Sequence, residues 1–66
     1  MATDRAAELL VMADHVDRYH EAIGDMLPDF ALDEHGDVIA ALVEAERSLR
    51  TATRLLRRAA KVAGPS

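Results

Sequence analysis

Apolar residues recur at alternating steps of three and four along both halves of this chain, and few architectures accept that spacing. The first half reads Leu9, Met12, Val16, Tyr19, Ile23, Met26. The second reads Val38, Leu42, Ala45, Leu49, Ala52, Leu56, Ala59, Ala63. Steps of three and four average about 3.5 residues, the repeat of a helix packed lengthwise on another helix. A half-buried strand would alternate by two. The pattern therefore predicts an all-α protein of two long helices, each carrying an apolar seam. Alanine and leucine, both strong helix formers, dominate the apolar set.

Capping and breaking residues set the expected bounds. Thr3 or Asp4 is a suitable N-cap, with Glu8 in the early turns. Pro28 stops the first helix, because a residue before proline avoids the α region, and Gly24 weakens the last turn. A helix over about residues 4–27 would be roughly 35 Å long. The second helix is expected over about 37–63, capped by Asp33 or Asp37 and stopped by Gly64-Pro65. Residues 1–3 and 64–66 read as frayed ends. The connection, about 28–36, reads as a loop or short helical turn in which Phe30 and Leu32 plug the end of the bundle. The alternative is a short β-hairpin: Phe30 and Leu32 alternate, residues 33–36 are turn-like, and residues 37–39 could return. An isolated hairpin of that size is marginal in water. Either connection is short enough to force the helices antiparallel.

A chain of 66 residues makes one domain at most, spanning residues 1–66. Such a chain buries only about 60% of its unfolded surface, so small scaffolds add disulfides, a metal or a partner. No cysteine is present, which leaves association. The seam positions Leu42, Leu49 and Leu56 alternate with Ala45, Ala52 and Ala59, an arrangement suited to closely spaced helices. Leu10, Val11, Ile39, Val43, Leu55 and Val62 fall outside both seams. Two hairpins forming a four-helix bundle would cover them. A homodimer is the simplest such assembly, and a helical partner protein meets the same need. The residues expected to carry assembly are Leu9, Met12, Val16, Tyr19, Ile23, Leu42, Leu49, Leu55 and Leu56. No apolar run approaches the roughly 20 residues of a membrane span, and no signal-peptide core follows the N-terminus. A soluble, cytoplasmic protein is expected.

Net charge is −4 and unevenly spread. Antiparallel helices would bring Asp4, Glu8, Asp14 and Asp17 beside some of Arg47, Arg50, Arg54, Arg57, Arg58 and Lys61. Arg47, Arg50, Arg54, Arg57 and Lys61 also form a stripe opposite the predicted seam. The alternative function is a nucleic-acid-binding regulator using that stripe. The acidic balance and the presence of only two aromatic residues, Tyr19 and Phe30, weigh against it. A solvated face that compensates the helix dipole accounts for the same stripe.

Asp17 and His20 stand three apart on one helix face, the spacing of a carboxylate–histidine metal pair in helical bundles. Glu44 or Glu46 could complete such a shell. The usual glutamate is replaced by aspartate, however, and the pair is expected on the outer flank of the seam. His15 and His35 read as solvated. Neither Ser48 nor Ser66 lies in a nucleophile elbow, and the three glycines are too far apart to cradle phosphate. No cofactor, no small-molecule substrate and no catalytic residue is expected. The sequence predicts a non-enzymatic interaction module: an adaptor, an assembly factor or a small regulator.

Overall fold

The computed structural model describes residues 4–63. Helix α1 runs over Arg5–Met26, a single 3-10 turn follows over Leu27–Asp29, and α2 runs over Leu32–Ala63. The helices pack against each other as a hairpin of 55 × 14 × 11 Å, only two helices wide. The expected helical hairpin is therefore present.

Asp4 caps α1, its carboxylate accepting from the Ala7 N–H at 3.1 Å. The alternative cap Thr3, the expected frayed ends and the Gly64-Pro65 stop lie outside the described residues. At the other end α1 gives way at Met26, and Pro28 sits in the first turn of the 3-10 segment, where its missing N–H costs no hydrogen bond. The Leu27 carbonyl accepts from the Phe30 N–H at 3.1 Å. The connection is thus a short helical turn. The alternative β-hairpin is not formed, and no strand occurs among the described residues. Residues 33–39, which would have supplied its turn and return strand, are taken into α2.

Helix α2 starts earlier than the Asp37 region. The Ala31 carbonyl accepts from the Glu34 and His35 N–H groups at 3.2 and 2.7 Å and opens the first turn. His35 then leaves helical geometry at φ −128° and ψ 33°, which kinks the helix before Gly36. After the kink the Asp37 carboxylate accepts from the Val38 N–H at 2.9 Å. Asp33 and Asp37 therefore flank the kink. The Phe30 ring meets the His35 ring edge-on, with centroids 5.7 Å apart, and is half-buried at the turn. The side chain of Leu32, its expected companion there, lies outside the described residues.

The seam departs from its sequence reading in a regular way. On α1 the half-buried or buried track is Ala6, Leu9, Ala13, Val16, His20, Ile23, Leu27. On α2 it is Ile39, Leu42, Glu46, Leu49, Thr53, Leu56, Ala60. On α1 half of the expected seam is in place, Leu9, Val16 and Ile23, and the other half is shifted by one residue: Ala13, His20 and Leu27 stand where Met12, Tyr19 and Met26 were expected. On α2 the expected Val38, Leu42, Ala45, Leu49, Ala52 and Leu56 are all at least half-buried, but the track is widened by Glu46 and Thr53, and Ala60 replaces Ala59. One residue is a rotation of about 100°, so Met12, Tyr19, Met26 and Ala59 turn outward to solvent.

The reason is the distance between the axes. The most deeply buried residues are Ala13, at 0% exposure, and Ala60 and Thr53, at 3% each. Small side chains at the closest approach let the backbones near each other, and the leucines then fill the gaps on either side. Methionine or tyrosine at those places would hold the helices apart. Thr53 is accommodated because its hydroxyl donates to the Leu49 carbonyl at 3.0 Å, satisfying a buried polar group within its own helix. Gly24 is half-buried against α2, and a Cβ there would come to 3.0 Å from Glu46 Oε2.

Ala13→Leu should destabilise the hairpin by about 1–3 kcal/mol through overpacking. Ala7→Leu, on the exposed side of the same helix, should change stability by under about 0.5 kcal/mol. Urea unfolding followed by helical circular dichroism measures both; equal effects would refute the Ala13 contact.

Candidate functional site

Fixing the seam leaves each helix with two flanks, and the ionic contacts show which flanks share a side. Arg57 Nη2 donates to Asp14 Oδ1 at 3.3 Å and lies 3.9 Å from Asp17 Oδ2. His20 Nε2 lies 3.5 Å from Glu46 Oε2. These contacts join the Asp14, Asp17 and Gly24 flank of α1 to the Glu46, Arg50 and Arg57 flank of α2, forming an ionic face. The remaining flanks, about 100° away on each helix, must share the opposite face. On α1 that flank carries Met12, Tyr19 and Met26. On α2 it carries Ala45, Ala52, Ala59 and Leu55.

The register follows from the same contacts. Residue 57 stands level with 14, and 46 with 24. Met12, Tyr19 and Met26 are therefore level with Ala59, Ala52 and Ala45. The face has a track of large side chains along α1 and a track of small ones along α2. Tyr19 is 64% exposed, and Met12 and Leu55 are each 51% exposed. The exposed Leu10 and Val43 belong to the ionic face, and Val62 lies on the back of α2.

Of the residues expected to carry assembly, the structure divides two groups. Leu9, Val16, Ile23, Leu42, Leu49 and Leu56 lie between the two helices of one hairpin. Met12, Tyr19 and Leu55 lie on the uncovered face. The missing signal was the small-residue track of Ala6, Ala13 and Ala60, which marks where the two helices meet.

The basic stripe changes character once the seam is rotated. Arg47, Arg50, Arg54, Arg57 and Lys61 flank the seam rather than opposing it. Arg57 is turned onto the carboxylates of α1. Exposed pairs of this kind contribute about 0–1 kcal/mol. Glu8, expected across from α2, instead pairs with Arg5 of its own helix at 2.7 Å.

Asp17 and His20 do come together, with Nδ1 3.7 Å from Asp17 Oδ1. His20 is not on an outer flank as expected. It sits in the seam, and both ring nitrogens are shielded from water without a hydrogen-bond partner. Asp17 faces one nitrogen and Glu46 the other. A single ion cannot bind both nitrogens of one imidazole ring, so this arrangement is a histidine held between two carboxylates and not a common ligand set. No group of three or more His, Cys, Asp or Glu able to hold a metal occurs among the described residues. Glu44 lies on another flank. His15 and His35 are exposed.

Two depressions lie on the described surface. A depression bounded by Arg5, Glu8, Val11, Met12 and His15 is walled by α1 alone, and another bounded by Val43, Glu46, Arg47 and Arg50 by α2 alone. Neither offers the facing walls that enclose a small ligand. No described helix is long and apolar enough to cross a membrane.

A double-mutant cycle on Asp14→Ala and Arg57→Ala should give a coupling of at most about 1 kcal/mol, shrinking as salt is raised. Unfolding midpoints in low and high salt measure it. A large, salt-independent coupling would mean that the ionic face is buried.

No family model, no curated protein and no solved structure matches this chain.

Proposed function

We propose that this chain is a non-enzymatic protein-interaction module, an adaptor, assembly factor or small regulator that works through the apolar face of its hairpin. One observation carries the reading. Among the described residues only Ala13 and Ala60 are fully buried apolar ones, while Met12, Tyr19, Met26 and Leu55 stand exposed on one side. Scattered surface apolars are ordinary. A track of large residues level with a track of alanines is an organised surface, and organised apolar patches mark association sites. The same feature supplies what a chain this small lacks alone, since no large side chain among the described residues is fully buried.

The nucleic-acid reading rests on the stripe of Arg47, Arg50, Arg54, Arg57 and Lys61, and Arg57 is engaged with Asp14 and Asp17 in the hairpin itself. The apolar face is therefore the stronger basis for function.

If the face is an association surface, folding is linked to its occupant. Helicity and the thermal midpoint should rise with chain concentration, or the lone chain should be poorly helical until a partner is supplied. The double variant Tyr19→Glu/Leu55→Glu should abolish the concentration dependence. Circular dichroism and light scattering over a dilution series decide it. A cooperatively folded monomer, with a midpoint independent of concentration and unmoved by the double variant, would overturn the proposal.

A further inference from the structure

We infer that the occupant of the apolar face is a second copy of this chain, docked with its turn against the open end of the first. This rests on the reading of that face as an interaction surface and adds the partner and its orientation.

Two observations argue for a second copy. The chain exposes 5032 Å², roughly 900 Å² more than area scaling gives for a compact protein of 7.2 kDa. A standard interface takes about 800 Å² from each partner. The uncovered excess of one hairpin is thus of the size a stable dimer needs.

The second observation is charge. From Glu21 to Glu46, the turn end of the hairpin, there are eight acidic residues and no lysine or arginine. At the open end, residues 4–17 and 54–61 together hold four acidic and five basic residues. The turn end is therefore strongly acidic and the open end close to neutral. Two copies aligned with turns together would set acidic end on acidic end, while two copies with turns apart keep the acidic ends separated, each beside a nearly neutral one. Face-to-face two-fold symmetry then fixes which helices meet. With the axis across the long direction, α1 packs on the partner's α1 and α2 on the partner's α2. Placing the axis at the level of Tyr19 and Ala52 overlaps the tracks fully. The alanine tracks permit close approach of the two α2 helices, and the Met12, Tyr19 and Met26 side chains fill the wider gap between the two α1 helices.

The chain has no cysteine, so Glu34→Cys provides a single label site at the turn end. In the proposed dimer, electron–electron dipolar spectroscopy should give a label separation of about 50 Å. A dimer with a short separation, under about 25 Å, would overturn the inference while leaving the face an interaction surface. So would a poorly helical monomer, which awaits a different partner. A stably folded monomer would overturn both readings.

Discussion

The close approach at Ala13, Thr53 and Ala60 governs the rest of this structure. The most deeply buried side chains between the two helices are small ones, Ala13, Thr53 and Ala60. That contact decides which residues are inside. It draws His20 and Glu46 into the seam, and it turns Met12, Tyr19 and Met26 out. A hairpin with large residues at the contact would have buried more apolar surface within one chain. This one keeps its large residues for the outside, and its single-chain core is correspondingly thin.

The two faces of the hairpin follow from that choice. On one side Asp14, Asp17 and Glu46 meet Arg57 and His20 at distances of 3.3–3.9 Å. The Arg57–Asp14 contacts are worth little as energy, because both partners are exposed. Their value is in register, since they hold position 14 level with 57. On the other side the same register aligns the large track of α1 with the alanines of α2. Polar pairing on one face therefore organises the apolar face that the proposed function uses.

Much of this was legible in the residues. The 3–4 spacing gave two helices, Pro28 gave the break, and Asp4 gave the cap. The pairing of Asp14 and Asp17 with an arginine of α2 followed from antiparallel geometry. The frame of the seam did not follow, and the cause is specific. A 3–4 repeat and a 4–3 repeat share one track, here Leu9, Val16 and Ile23, and differ by one residue in the other. Hydrophobicity favours Met12 and Tyr19 over Ala13 and His20. Packing distance favours the reverse, and a pattern along one chain carries no packing distance. The start of α2 was obscured for a different reason. The turn chemistry of residues 33–36 is compatible with a loop, a hairpin or a kinked first helical turn, and the Ala31 carbonyl selects the last. The spacing of Asp17 and His20 showed that the two share a face, but not which ring nitrogen meets which carboxylate.

The central claim is that the large residues of α1 lie outside the hairpin and are covered only by association. The methionine methyl groups report on it directly. Met12 and Met26 can be observed by methyl nuclear magnetic resonance in the presence of a soluble paramagnetic probe, at low and high chain concentration. The account predicts that both methyls are accessible to the probe in dilute solution and become shielded as the chain associates. Methyls shielded in a dilute monomer would place them in the seam and contradict the frame described here. Methyls accessible at every concentration on a stably helical chain would contradict the association.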